Sequence, residues 1–462
     1  MLEAVELVRT EVVHALVVGA GMSGIGAGAT LRRTGVDDFL IIDQASDFGG
    51  TWRANTYPGV ACDIPSQVYS YRFAPHREWS RVFAPGAEIH RYLLGVVDEY
   101  RLRERTRFGT ELLDARWDPD ALRWLVQTST GPVAARILVL ATDILEDPRL
   151  PPVPGLESFP GRIFHSSRWP EGYSGAGDRV ALVGTGASSV QILPEIAARA
   201  RRVTLFQRTP AWVLPKPDWT HSPPMRWLVR RVPGARAALR GAQWAGAEAF
   251  LWSLRSLPAS NAIAAAGRWN IRRAIKDPAT REALTPDYVL GCKRALLSNT
   301  YYPALARPNV DLAGALTEAR GDVLVGAGGT EHTADTVVLG TGFHVVDAPI
   351  YDRVRGRDGL TLAERWKGSP KAYKGVTMAS CPNAFILWGP TGARRRCSPR
   401  WRRRWATWPR RCARCGPSGS RSSRCARTPN AAGRSWPTAT PPHRCTTSVA
   451  ASRTTWTATG RT

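Results

Sequence analysis

Two stretches of the chain share one order of apolar and small residues. In the first, "HALVV" at 14–18 is a short apolar run that meets the glycines of "GAGMSG" and passes into a helix-compatible stretch. A second apolar run, "FLII", follows and ends in Asp43. That order predicts a strand, a tight turn, a helix and a second strand, the βαβ unit of a parallel sheet. The second stretch, "DRVALVGTGASSVQILPEIAARARRVTLFQRTPAW", repeats it 165 residues later, with Gly184, Gly186 and Ser189 on the spacing of Gly19, Gly21 and Gly24. The expected fold class is therefore α/β, with two Rossmann-like units in one chain.

Spacing also suggests what the units hold. Gly19 allows the tight turn, Gly21 lets backbone approach a pyrophosphate, Gly24 allows close helix packing, and the helix N-terminus favours an anion. Asp43 ends the second strand 24 residues past Gly19, where a carboxylate can accept both hydrogens of a ribose diol, as in FAD or NAD. In the second unit Gln207 fills the acidic position and Arg208 and Thr209 follow, which suits a ribose carrying a 2′-phosphate, as in NADP. Each signal has a plain competitor, a glycine-rich turn or a solvated arginine. Strand, helix and terminal residue together favour nucleotides. A path from NADPH to a bound flavin is the economical inference. Disulfide reductases share this layout, but they need a redox CxxC, and residues 1–390 contain none.

Composition changes the picture at one end only. The chain of 462 residues carries a formal charge of +25, which alone would point to nucleic acid. Residues 391–462, however, hold 17 arginines and no Lys, Asp or Glu, which leaves residues 1–390 a net charge of +8. No nucleic-acid partner is expected for that body. The tail has no Leu, Ile, Phe, Tyr or Met and cannot build a core, so it is expected to be disordered. Its bias also fits a GC-rich coding region read out of frame. Cys412 and Cys415 form a CxxC there without a second close pair, so no metal site is expected. The N-terminus has no signal-peptide pattern and no apolar stretch reaches the roughly 18 residues of a membrane span. A cytoplasmic protein is expected. Residues 225–257 mix Arg with Trp and Leu on helix-forming sequence; a packed helical subdomain and a peripheral membrane contact both stay open. The oligomeric state is not encoded legibly.

Between the two units, "FPGRIFHSSRWP" (159–170) sets Phe159, Gly161, His165, Trp169 and Pro170 on the pattern FxGxxxHxxxWP. The chain here resembles the Baeyer-Villiger monooxygenases of the flavin-containing monooxygenase superfamily. "DFGGTW" (47–52), "YPGVACDIPSQVYSY" (57–71), "LTPDYVLGCKRALLSNTYYPALARPNV" (284–310) and "TGFHVVDAPI" (341–350) are similar to other segments of that family. The resemblance covers nearly all of residues 12–390.

It implies FAD and NADPH as cofactors, a ketone and O2 as substrates, and insertion of one oxygen atom through an oxygen adduct of the flavin. Arg294 matches the family's active-site arginine and Asp63 the acid that orients it; a plain salt bridge is the competing reading. Gly50, Thr51, Trp52 and Tyr69, with Asp63, are implied at the flavin. Gly184, Thr185, Gly186, Ser188, Ser189, Arg208, Thr209 and Lys293 are implied at the NADP. His165 is expected to position the linker, not to touch substrate. The implied layout is an FAD-binding domain (1–151, returning at 325–390) and an NADP-binding domain (152–219 and 285–324), with a helical insert at 220–284 and the tail from 391. Two departures stand out: Asp143 replaces a glycine usual before the linker, and the junction "WGPTGARRR" (388–396) leaves the family pattern. N- or S-oxygenation, and an impaired flavoprotein with a basic nucleic-acid- or membrane-binding tail, remain alternatives.

Overall fold

The computed structural model describes residues 10–143, 145–345 and 347–387. The arginine-rich tail, its CxxC and the 388–396 junction lie outside them.

The first apolar run becomes the strand Glu11–Val18, parallel to Phe39–Ile42 on one side and to Gly131–Leu140 on the other. All four residues of Phe39–Ile42 are buried, which is why the run is continuous and does not alternate. The helix Met22–Arg33 follows the glycine turn and buries Gly24 to Leu31 without a break. Its small residues let it lie close to the sheet: a Cβ on Gly28 would come 2.8 Å from Ile41 Cδ1. The sheet continues through an antiparallel meander, Leu112–Asp118, Arg123–Thr128 and Gly131–Leu140. Late chain completes it, with Val354–Arg355 against Leu112–Asp118 and Ala384–Ile386 against Gly131–Leu140. Trp124 anchors that return: it is fully buried and its indole N–H donates to the Pro382 carbonyl at 2.8 Å.

Five parallel strands form the second sheet, in the order Val310–Ala313, Arg202–Phe206, Arg179–Val183, Thr336–Leu339, Arg162–His165. Helix Ala187–Ala197 follows its glycine turn. The expected return to the first sheet at 325 is too early. Thr336–Leu339 pairs with Arg179–Val183 and with Arg162–His165, so chain up to 339 belongs to the second sheet. The glycines at 326–329 close a hairpin between Val323–Gly326 and Glu331–Thr333. "TVVL" is buried at all four positions, and a strand so buried needs a neighbour on each side.

Helices Pro223–Arg231, Ala235–Ser253, Leu257–Ala274 and Pro278–Leu284 occupy the expected insert. The longest has no fully buried residue. Arg240 ties it to the first unit by donating to Ser70 Oγ at 3.2 Å and to the Ser70 carbonyl at 3.0 Å. Among the described residues no helix is long and apolar enough to cross a membrane.

The 159–170 segment is a staple between the sheets. Phe159 is buried, and a Cβ on Gly161 would lie 2.2 Å from the Asp335 carbonyl oxygen. Trp169 packs edge-on against Phe164 and donates to the Tyr173 carbonyl at 3.0 Å.

Candidate active site

A cleft of about 370 Å³ opens over the first glycine turn. Gly19, Gly21, Asp43, Gly50, Thr51, Trp52 and Tyr69, all expected at a flavin, line it. Its floor is bare backbone, because the turn at Gly19–Gly21 and the turn at Gly49–Gly50 meet face to face: a Cβ on Gly50 would come 2.7 Å from Gly21 Cα. Such a floor fits a pyrophosphate approaching main-chain N–H groups and the start of a helix. Gly24 lies outside the lining. It is packed beneath the turn, where a Cβ would fall 1.7 Å from the Gly19 carbonyl oxygen. Asp43 accepts from the Ala20 N–H at 2.6 Å and the Ala45 N–H at 2.8 Å, one on each oxygen. A carboxylate oxygen can take a second donor, so ribose hydroxyls remain accommodated.

Several cleft residues escaped the sequence reading: Tyr71, Glu146, Asp147, Ser167 and Arg168. Ser167 and Arg168 belong to the linker fingerprint, so that segment reaches the first cleft as well as the second sheet. Asp143 enters the wall beside Thr51, whose hydroxyl donates to it. Glu146 accepts from Gln44 Nε2 at 3.1 Å. Enclosure by the cleft, and then the charge of Asp43, push the Glu146 carboxyl up to about 7, although solvent still reaches the side chain. Four carboxylates therefore surround a site shaped for an anionic ligand. Nothing in local pattern marked Glu146, because only the folded chain brings it next to Asp43.

Trp52 and Tyr69 meet edge-on, and the indole N–H donates to the Tyr69 hydroxyl at 3.1 Å. Burial, and then neighbouring anionic groups including Asp63, hold the Tyr69 phenol well above its ordinary pKa. Asp63 is outside the cleft lining but close enough to Tyr69 for its charge to act there. It pairs with Arg294, 231 residues away in sequence. Arg294 is about half exposed and Asp63 about a quarter. An ion pair so wetted adds little stability; what it does is hold a guanidinium at a defined place. Lys293 beside it is exposed, with Nζ 4.6 Å over the Tyr288 ring.

At the second turn, Gly184 has φ +108, and a Cβ there would strike the Gly340 carbonyl at 2.5 Å. Gly186 begins the helix. Thr185 donates its hydroxyl to the Thr209 carbonyl at 2.8 Å, joining the turn to the next strand's end. Ser188 is half-buried and Ser189 fully buried. Arg208 is exposed and makes no ion pair with the described residues. Gln207 is turned away, donating to the Ala283 carbonyl at 2.8 Å.

His165 is buried, and both ring nitrogens are engaged. Nδ1 accepts the Ser167 N–H at 3.2 Å, which leaves Nε2 to donate to the Gly342 carbonyl at 3.1 Å. Burial lowers its pKa. It fastens the linker to the chain leaving the second sheet and offers no nitrogen to a substrate.

A family model described as pyridine nucleotide-disulphide oxidoreductase matches residues 16–226. A Baeyer-Villiger monooxygenase of Streptomyces coelicolor is 49% identical over 382 residues, covering 82% of this chain and 74% of the relative. The chain belongs to the Baeyer-Villiger monooxygenase family. Its fold also matches two solved structures. Cyclohexanone monooxygenase from Rhodococcus sp. Phi1 bound to NADP+ superposes with a TM-score of 0.78 at 29% identity, over 88% of this chain and 85% of that one. The OTEMO complex with FAD and NADP gives 0.78 at 28%, over 88% and 86%. Family membership makes this chain an oxidoreductase of the monooxygenase class, and it makes the two glycine turns the places to look for cofactors.

Proposed function

We propose that this chain is an NADPH- and FAD-dependent monooxygenase that inserts one oxygen atom of O2 into a ketone to give an ester or lactone. The observation that carries the reading is the Asp63–Arg294 pair, assembled from distant segments beside the aromatic wall of the first cleft. Structures of relatives bound to FAD and NADP support the cofactor assignment.

Bound FAD would supply the redox and oxygen-activating chemistry. This chain's residues would hold it: backbone at Gly19, Gly21 and Gly50 for the pyrophosphate, Asp43 for the ribose, Thr51, Trp52 and Tyr69 along the ring. Arg208, Thr209 and Lys293 would take the 2′-phosphate of NADPH over the turn at Gly184, Thr185 and Gly186, with Ser188 and Ser189 at the helix start. A guanidinium is a permanent cation, so Arg294 would offer a fixed positive charge to negative charge developing on oxygen, and Asp63 would fix its direction. We assign the FAD unit to the first sheet and the NADP unit to the second, with the crossing back after 339. A cytoplasmic location belongs to the same proposal. Exposed Trp227 and Trp252, the latter 4.4 Å from the Arg255 guanidinium, keep 225–257 a candidate for peripheral contact with an anionic membrane; sedimentation with phosphatidylserine vesicles tests that separately.

The central test is spectroscopic. Purified protein loaded with FAD should be yellow and be bleached faster by NADPH than by NADH. Arg294→Ala should keep that bleaching while oxygenated product falls about 10²–10³-fold, the usual cost of removing one charge-stabilising donor. Refolded, FAD-supplemented protein that takes up no flavin ends the proposal.

A further inference from the structure

We propose that Gln191 is a positioning residue that couples occupancy of the second nucleotide turn to the Asp63–Arg294 pair; this rests on reading that turn as the NADP site.

Gln191 sits on helix Ala187–Ala197, just past the first turn of that helix. Val190, Ile192, Leu193 and Ile196 bury the apolar side of the helix, while Gln191 is half-buried on the side it shares with Ser188 and Glu195. There it meets the 57–61 segment of the first unit. Gln191 Nε2 donates to the Ala61 carbonyl at 3.0 Å, while Oε1 accepts the Tyr57 hydroxyl at 3.0 Å and the Ala61 N–H at 3.4 Å. One side chain thus takes both backbone groups of Ala61 and a buried phenol. Ser188, at the start of the same helix, lies beside the Tyr57 hydroxyl.

The two backbones lie flush. Gly59 has φ +82, and a Cβ there would come 2.7 Å from the Gln191 carbonyl oxygen, so no other residue lets the segment dock this closely. Two residues beyond Ala61, Asp63 meets Arg294. Between them the Cys62 N–H is fixed to the Ala84 carbonyl at 3.0 Å. The route from helix start to guanidinium is therefore a short run of chain held at each step by hydrogen bonds. A nucleotide that orders the helix start stiffens Ser188 and Gln191, and through them the segment that aims Asp63. Linkage makes the effect reciprocal: a docked 57–63 segment favours the nucleotide.

The test uses the full-length chain loaded with FAD, with NADP+ as the probe. Hydrogen exchange of the amides at 57–63 is followed with and without NADP+, together with NADP+ affinity by equilibrium dialysis and the rate of bleaching by NADPH. In the unaltered protein NADP+ should slow exchange at 57–63. In Gln191→Leu that protection should vanish and the NADP+ dissociation constant should rise about fivefold to tenfold, the loss expected from one or two buried hydrogen bonds. FAD content and unliganded exchange elsewhere should not change. Tyr57→Phe removes a single hydroxyl, should shift both readouts in the same direction by less, and keeps the question answerable if Gln191→Leu folds badly. Unaltered protein that binds NADP+ without slowing exchange at 57–63, or variants that keep the protection, overturns the coupling alone. Unaltered protein that binds no NADP+ overturns the nucleotide reading and the coupling together.

Discussion

The two glycine turns are the same motif solved twice, and they differ at the third position. In the first, Gly24 leaves no room: an added Cβ would lie 1.7 Å from the Gly19 carbonyl. In the second, Ser189 stands there, fully buried, its hydroxyl without a hydrogen-bond partner among the described residues. It fits because the bare position has moved to the facing strand end, where a Cβ on Gly340 would come 2.0 Å from the Ser189 oxygen. Charge differs as much as packing. The first turn is ringed by Asp43, Asp143, Glu146 and Asp147, while the second strand ends in Arg208. On the proposed reading, backbone shape admits a dinucleotide to either turn and the strand-end side chains decide which ribose each one accepts.

The sharpest way to break this comparison is to exchange the tolerances. Gly24→Ala should destabilise the protein by about 3 kcal/mol or more and abolish FAD retention, since overpacking against backbone cannot relax. Ser189→Ala should change the melting temperature little, by an effect under about 1 kcal/mol, because it removes a hydroxyl that already lacks a partner. Thermal unfolding and the flavin absorbance of the purified variants read both. Equal effects would mean that the turns are packed alike.

Next in size is the charge contrast. Arg208→Ala should raise the KM for NADPH about tenfold or more, consistent with the loss of a charge-assisted contact, and leave the KM for NADH unchanged. Steady-state kinetics with both nucleotides decides it; an equal loss with NADH would remove Arg208 from the 2′-phosphate.

The smallest effect sharpens the first turn alone. Glu146 titrates higher in the folded chain, at about 7, than the ordinary 4.5. Folding therefore favours its protonated form. Stability from this group falls as pH rises from about 4.5 to about 7, and the penalty is complete above that. Glu146→Gln should raise the melting temperature at pH 8 and not at pH 4.5, by no more than about 1 kcal/mol because solvent screens the group. FAD affinity should improve over the same interval, as one carboxylate charge leaves a site built for an anion. Identical pH profiles in the two proteins would show that the acid ring is electrostatically silent.

Much of this was readable along the chain. An apolar run before a glycine turn declares a buried strand and a close approach, since both demands fall on adjacent residues. The 159–170 fingerprint was equally plain, and both ring nitrogens of His165 within it are taken by hydrogen bonds. The return crossing was placed too early because no local pattern says which sheet an apolar run joins; the pairing of Thr336–Leu339 between two earlier strands decides it. Glu146 was missed for a related reason: it sits in no pattern of its own and gains meaning from what the cleft brings beside it, while Tyr71 lay within a recognised segment but without a role of its own.

The amino-acid order by itself determined the two βαβ units, the bare backbone at their turns and the opposite charges at their strand ends. Those properties depend on dihedral angles and side chains within a few residues of one another. The meeting of Asp63 with Arg294 was implied in advance only by the family resemblance; tertiary structure alone decided that Gln191 reaches across to Ala61 and Tyr57, and that four carboxylates crowd one cleft. Such meetings depend on the order of strands in each sheet and on how the sheets lie together, and a hydrogen bond between distant segments leaves no local trace for a linear reading to find.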